Sequence, residues 1–243
     1  KQLLGIDREK TDQKFLNMDG IVAELRKKNI LLEVASAWAQ IDLAPYDNSA
    51  ITTLEEHIKR RWADISASTA GEQYTPEDII ELIARIVALK VNKPKDQLLH
   101  GYDPTCGGAN LLYGVSDRLK QQGYKHIKTY GCELNDALYA LAAIEARFRD
   151  MSTIKCGNTL TTVPFADMED SFDFIVANPP YGTKWKGYEK EVKNDRLGQF
   201  PAGYPEIKDG QLLFMQHILW QLADSGIAVE VHNGSTLFSG DAG

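Results

Sequence analysis

From residue 75 onward the apolar positions fall into two alternating rhythms, a period near 3.6 and short unbroken runs. Ile79, Leu82, Ile83, Ile86 and Val87 recur at helical spacing behind Thr75-Pro76-Glu77-Asp78. Threonine as N-cap, proline in the first turn and an acid at N3 predict a helix start there, and the apolar face predicts packing on a sheet. Gly210 to Ser225 carries Leu212, Leu213, Leu219 and Leu222 and predicts a second amphipathic helix, stopped by Asp224-Ser225-Gly226. Between and beyond these lie strand-like runs: a strand ending near His100-Gly101-Tyr102-Asp103, then Thr129 to Glu133, a tip at Ile154 to Leu160, Phe172 to Ala177, and Ile227 to Val231. Runs of β-branched and aromatic residues closed by turn residues read as strands buried on both faces. Alternation with helices predicts an α/β fold with a parallel sheet whose strand ends line one edge.

Residues 1 to about 70 lack that alternation. Asp19 to Ala39 (Ile21, Leu25, Leu32, Ala35, Trp38) and Ile51 to Trp62 show helical patterning instead, separated by the turn-like Pro45-Tyr46-Asp47-Asn48. The expected organisation is a partial helical N-terminal region over 1–70 and a catalytic domain over 71–243.

Composition narrows the classes. A chain of 243 residues with 43% hydrophobic residues can bury one α/β core and a smaller appendage. No run is apolar enough to span a membrane and Lys1-Gln2-Leu3 does not begin a signal peptide, so the expected setting is cytoplasmic. Cys106, Cys132 and Cys156 read as reduced thiols, and neither they nor the scattered histidines have metal-ligand spacing. The net charge of −7 is unfavourable for a protein that binds duplex DNA by itself.

The chemistry concentrates at Asn178-Pro179-Pro180-Tyr181, directly after the apolar run Phe172 to Ala177. Two prolines forbid strand pairing and an immediate helix, which fixes Asn178 at the strand's carboxyl end, the edge where open α/β sheets bind ligands. The Asn178 amide oxygen and the adjoining carbonyl are two acceptors, and Tyr181 is a flat ring beside them. Such a trio suits a planar amino group held while its nitrogen attacks an electrophile. Upstream, Asp103-Pro104-Thr105-Cys106-Gly107-Gly108-Ala109-Asn110 reads as a strand end, a tight Gly-bearing turn and a helix start. A turn of that kind lets backbone N–H groups approach a ligand. Glu133 ends the next strand, at a slightly stretched version of the spacing used to grip a nucleoside ribose.

These motifs resemble those of S-adenosylmethionine-dependent DNA adenine methyltransferases, and in particular the modification subunit of type I restriction-modification systems. The resemblance runs from about Asn48 to Gly243. Gln73-Tyr74-Thr75-Pro76 resembles the family's first cofactor motif, Asp103-Pro104-Thr105-Cys106-Gly107 its Gly-rich turn, and Glu133 its ribose-binding acid. Gly157-Asn158-Thr159-Leu160 matches the adenine-contacting turn, Asn178 to Tyr181 the catalytic motif, and Asn233 to Phe238 a later segment near the site. The resemblance implies a Rossmann-like methyltransferase sheet with flanking helices and S-adenosyl-L-methionine as cofactor. It implies Tyr74, Thr75, Pro76, Asp103, Pro104, Thr105, Cys106, Gly107, Glu133, Asn158, Thr159 and Leu160 as cofactor residues, with Asn178, Pro179, Pro180 and Tyr181 catalytic and no metal. The implied reaction is methylation of the N6 amine of an adenine swung out of DNA, with Tyr181 as stacking platform. The implied partners are DNA, a specificity subunit that carries base recognition, a restriction subunit and a second modification subunit.

Two positions depart from the family pattern. Ala109 stands where a second glycine is usual and adds a methyl near the cofactor's carboxypropyl end. Asn158 stands where Asp is usual and replaces a carboxylate by a neutral acceptor, a change worth about 1 kcal/mol. A sheet of this type normally has two further strands after Ile227 to Val231, so the chain is expected to be C-terminally incomplete. The segment after Tyr181, with Lys184, Trp185, Lys186, Tyr188, Lys190, Lys193 and Arg196, is expected to be a mobile loop touching the substrate backbone. Rival readings are methylation of a glutamine amide or an RNA guanine amine, a methyltransferase-like subunit without turnover, and a nicotinamide dehydrogenase. The Tyr-Thr-Pro and Asn-Gly-Ser-x-Leu-Phe segments favour DNA over the first pair, and nothing in a dehydrogenase explains Asn178 to Tyr181.

Overall fold

A computed structural model of the chain describes residues 19–42, 75–149, 151–168 and 171–234. They belong to two compact units that divide between Tyr74 and Thr75. The expected helix over 51–62, Tyr74, and residues 235–238 of the last motif lie outside the described residues.

In the first unit, the pattern over Asp19 to Ala39 resolves into two helices, α1 (Asp19–Lys27) and α2 (Leu31–Ala39). Asn29, with φ of 56°, takes the left-handed conformation that ends α1.

The second unit runs α3 (Glu77–Lys90), β1 (Leu98–Asp103), α4 (Asn110–Gln121), β2 (His126–Glu133), α5 (Asp136–Ala146), β3 (Ser152–Cys156), β4 (Phe172–Ala177), α6 (Glu189–Lys193), α7 (Gln211–Gln221) and β5 (Leu222–Glu230). The strands form one sheet in the order β3-β2-β1-β4-β5, and every adjacent pair is parallel. All five carboxyl ends therefore share one edge, as the apolar runs predict. Strand order reverses between β1 and β4, which makes their ends a topological switch point where such sheets bind ligands. Gly101 permits the close approach there, because a Cβ would lie 2.1 Å from the Phe174 ring.

Each face of the sheet carries its own core. On one face Leu99, Ile127, Phe174 and Val176 pack with Ile80, Ile83, Ala84 and Val87 of α3 and Leu111, Leu112 and Val115 of α4. On the other Tyr102, Tyr130, Phe172, Ile175 and Ala177 pack with Phe165 and with Ile218 of α7. Burial on both faces is the reason β4 reads as an unbroken apolar run.

Four local expectations need correction. Pro76, not Thr75, is the N-cap of α3, and no side chain caps that end. The core face of α3 is Ile80, Ile83, Ala84 and Val87, while Leu82 is 53% exposed. Helix α7 buries Gln211, Leu213, Phe214, His217, Ile218 and Gln221 and turns Leu219 outward, so three of its six buried positions are polar. It ends at Gln221, and β5 begins at once at Leu222, opposite Phe172. Asp224-Ser225-Gly226 is thus an irregularity inside the strand. A Cβ on Gly226 would lie 2.7 Å from the Phe172 carbonyl oxygen, which only glycine avoids.

Candidate active site

Asp103 ends β1 and Glu133 ends β2, and the Gly-rich turn is stitched between them. Cys106 N–H donates to the Cys132 carbonyl at 2.9 Å, which lays the turn on β2. Thr105 N–H donates to Asp103 Oδ1 at 2.9 Å, and Gly107 N–H donates to Glu133 Oε2 at 2.8 Å. Glu133 Oε1 takes a further N–H from Asn135 at 2.6 Å. Gly131 makes room for this stitching, since a Cβ would stand 2.9 Å from Cys106 Sγ. Gly107 has φ of +55°, and neither it nor Gly108 would bring a Cβ within 4 Å of another atom, so the turn has an open side.

Burial pushes the Asp103 carboxyl up to about 8, with the Glu133 carboxylate adding to the rise and the Thr105 N–H opposing it. The Thr105 hydroxyl is buried beside that carboxyl and also opposes the rise. A desolvated carboxyl and a neighbouring carboxylate around an open glycine turn form a set that fits a ligand bearing a cation and hydroxyl groups. Leu134, directly beyond Glu133, adds an apolar surface that is 66% exposed. Its only signal in the sequence is an apolar residue after a strand-end acid. Cys106 and Cys132 are buried, and burial raises both thiols, Cys132 to about 12. They act as packing residues and not as nucleophiles.

The turn after β3 lies alongside. Asn158 Oδ1 accepts the Leu160 N–H at 3.0 Å, and the Asn158 carbonyl accepts from Thr162 N–H at 2.8 Å. The acceptor of Asn158 is therefore engaged in its own turn. Thr159 Oγ1 donates to the Pro104 carbonyl at 2.5 Å, joining this turn to the one after β1. Leu160 is buried in a separate cluster with Trp185, Val192, Phe200, Leu213 and Phe214. The expectation that Ala109 crowds the ligand end of the Gly-rich turn is not met. Ala109 is the left-handed N-cap of α4, at φ of 66°, and it is fully buried in the main core.

At the end of β4, Asn178 is held from both sides. Its Nδ2 donates to Thr75 Oγ1 at 3.2 Å, and its Oδ1 accepts from the Tyr181 hydroxyl at 3.1 Å. Pro179 is buried and Pro180 exposed, with the Pro180 carbonyl accepting from Thr183 Oγ1 at 2.8 Å. Tyr181 is half-buried, and burial raises its phenol above the ordinary value. The fold thus brings Thr75, Asp103, Glu133 and Asn178 to one sheet edge.

The segment after Tyr181 is packed, not loose. Trp185 is 1% exposed, its N–H donates to the Ile207 carbonyl at 3.1 Å and its indole Nε1 donates to the Glu206 carbonyl at 2.9 Å. Gly210 N–H donates to the Thr183 carbonyl at 2.9 Å and closes the segment's base. A buried polar chain ties it to the sheet. Tyr102 OH lies 3.2 Å from His217 Nε2, His217 Nδ1 lies 2.8 Å from Gln199 Oε1, and Gln199 Nε2 donates to Asp195 Oδ1 at 3.0 Å. The Gln199 oxygen can only accept, so His217 carries its proton on Nδ1 and accepts from Tyr102 at Nε2. Burial lowers His217 to about 3 and keeps the ring neutral. Lys184, Lys186, Lys190, Lys193 and Arg196 all face solvent around this packed body. Sequence reading missed the tether because its members lie far apart in the chain.

The family model for N-6 DNA methylase matches residues 48–243. The chain belongs to the N-6 DNA methylase family. It is 28% identical over 250 residues to the type I restriction enzyme MpnII methylase subunit of Mycoplasma pneumoniae, covering 94% of this chain and 45% of that protein. It is 26% identical over 188 residues to the HindI methylase subunit of Haemophilus influenzae, covering 74% of this chain and 39% of that one. The chain thus spans less than half the length of these relatives. Among solved structures it superposes on the type I restriction-modification methyltransferase subunit of Streptococcus thermophilus with a TM-score of 0.65 at 24% identity, over 80% of this chain and 42% of that one. A Listeria monocytogenes protein assigned to the class I S-adenosylmethionine-dependent methyltransferases gives a TM-score of 0.65 at 20% identity, over 89% of this chain and 64% of that one. The fold is therefore the Rossmann-like one of S-adenosylmethionine-dependent methyltransferases. Among the described residues no helix is long and apolar enough to cross a membrane.

Proposed function

We propose that this chain carries the methyl-transfer site of a type I restriction-modification modification subunit, acting on the N6 amine of adenine swung out of DNA. The observation that carries the reading is the position of the Asn178 amide, rigidly held at the switch point beside the Asp103–Glu133 turn. S-adenosyl-L-methionine, when bound, supplies an electrophilic methyl on a sulfonium. The chain's own residues do the rest by holding and orienting. Asp103 and Glu133 suit the cationic and hydroxyl groups of the cofactor, and the Asn158–Leu160 turn lies beside them. Asn178 Oδ1 and the Pro179 carbonyl accept hydrogens of the incoming amine, whose lone pair is otherwise delocalised into the ring. Transition-state hydrogen bonding and orientation then provide the rate. The Tyr181 ring supports the unstacked base.

A net charge of −7 favours a division of labour in which a specificity subunit supplies DNA recognition. A second modification subunit and a restriction subunit complete the proposed complex. The test is transfer of label from tritiated S-adenosylmethionine by the intact protein with its specificity partner. Label is expected in N6-methyladenine of DNA and is expected to vanish with Asn178→Ala. Label in a protein or in RNA rejects the assignment.

A further inference from the structure

The resemblance assigns Thr75 to the cofactor, and in the fold its side chain also reaches the end of β4. Its hydroxyl is the partner of Asn178 Nδ2, at 3.2 Å and 103 positions away in the chain. Four features make that hydroxyl a fixed point. Thr75 is 6% exposed. Pro76 follows it and restricts its backbone to extended conformations, and a β-branched side chain is stiff about its first torsion. Behind it, α3 is anchored in the core by Ile80, Ile83, Ala84 and Val87. The hydroxyl does not cap α3, which has Pro76 at its N-cap and no side-chain cap.

A carboxamide is two-faced. Its oxygen accepts, its nitrogen donates, and half a turn about the last torsion exchanges them. For an amine to be held by Asn178, the oxygen must face the amine. The flipped amide would present its own N–H groups to the hydrogens of the amine. Tyr181 cannot enforce the correct sense alone, since a hydroxyl can donate or accept. Two hydroxyls of different acidity can: the phenol is the stronger donor and pairs with the amide oxygen, leaving the aliphatic hydroxyl to accept from Nδ2. The sense is thus set while both hydroxyls hold the amide. When the amine, itself a donor, takes the place of the Tyr181 hydroxyl on the oxygen, Thr75 remains as the acceptor for Nδ2 among the described side chains.

We infer that Thr75 is a positioning residue, whose hydroxyl holds the Asn178 amide with its oxygen turned toward the incoming amine. The inference rests on the proposed methyl-transfer reading and deepens it. It is tested on the intact protein with its specificity partner, using tritiated S-adenosylmethionine and adenine-containing DNA. Thr75→Val keeps the shape and deletes the acceptor. Its kcat is expected to fall by about 10- to 100-fold, the effect of one misdirected hydrogen-bonding group. Its equilibrium Kd for S-adenosylmethionine is expected to stay within about threefold, since Thr75 acts through Asn178 and not on the cofactor. Thr75→Ser, which keeps the hydroxyl, is expected to recover most of the rate.

An unchanged kcat in Thr75→Val overturns the inference while leaving the methyl-transfer reading intact. So does a Kd raised tenfold or more with kcat preserved at saturation, which would make Thr75 a cofactor contact. Should Thr75→Val lose its folded circular-dichroism signal, Thr75→Ala deletes the hydroxyl without adding bulk and is read the same way. A wild-type protein that labels no DNA removes the reading and the inference together.

Discussion

The Tyr181 hydroxyl donates to the Asn178 amide oxygen at 3.1 Å. Without a substrate, the motif satisfies its own acceptor. On the proposed reading an incoming amine displaces the phenol, so the ring and its hydroxyl make opposite contributions. Tyr181→Phe is expected to lower the KM for DNA by about two- to tenfold, the net value of one neutral hydrogen bond. Tyr181→Ala is expected to raise it by about 10- to 100-fold through lost stacking. Steady-state methylation separates the two, and equal losses in both variants would reject the displacement.

Asp103 provides a pH signature. Its folded value of about 8 lies above the ordinary 3.8, so between those values the folded chain holds a proton that the unfolded chain has released. Its contribution to stability is complete below about pH 4 and is lost as pH rises through 8. Glu230, raised by burial to about 8, adds a slope of the same sign. Asp103→Asn is expected to flatten the fall in unfolding free energy between pH 5 and 8 by at most about 1.4 kcal/mol per pH unit, leaving the Glu230 part. Thermal melts across that range measure it, and a slope unchanged by the substitution would contradict the burial of this carboxyl.

His217→Leu should loosen the segment that follows Tyr181. The substitution removes the His217 partner of the Tyr102 hydroxyl and leaves the Gln199 amide oxygen buried and unpartnered, at a cost of about 1–3 kcal/mol. Cleavage by a non-specific protease within residues 195–210 should accelerate, while the strands keep their hydrogen-exchange protection. His217, held at about 3 against an ordinary 6.5, also makes the wild type lose stability as pH falls through that interval. The leucine variant should lack that part of the acid sensitivity.

Ala109→Gly is expected to leave cofactor affinity within about twofold of wild type, because the methyl faces the core and not the open side of the turn. Its effect on stability is expected to lie within about 1 kcal/mol of zero. Relief of left-handed strain is offset by the extra freedom of glycine in the unfolded chain and by one lost buried methyl. Isothermal titration with S-adenosylmethionine and denaturant midpoints measure the two quantities.

The strand ends were legible because each is a local pattern, an apolar run stopped by Pro, Gly or an acid. Asp103, Glu133 and Asn178 each sit at such a stop, and a parallel sheet must then bring them to one edge. What escaped was non-local. Nothing near Thr75 announces Asn178, and the capping rule pointed its hydroxyl at the wrong partner. The buried face of α7 was hidden because Gln211, His217 and Gln221 count as polar in any periodicity, although each finds a hydrogen bond indoors. Trp185, Val192 and Phe200 follow no single period. Their shared cluster with Leu160 was invisible until the chain folded back on itself, and the basic residues between them suggested a loose loop instead.

Thr159 and Leu160 are neighbours in the chain with opposite commitments. One grips the Pro104 carbonyl, and the other sits among Trp185, Val192 and Phe200. The turn after β1 and the cluster around Trp185 are therefore fastened to one dipeptide, whose Cα atoms lie about 3.8 Å apart. A shift of either one away from the other has to pull on that single peptide unit, which has far less give than a loop.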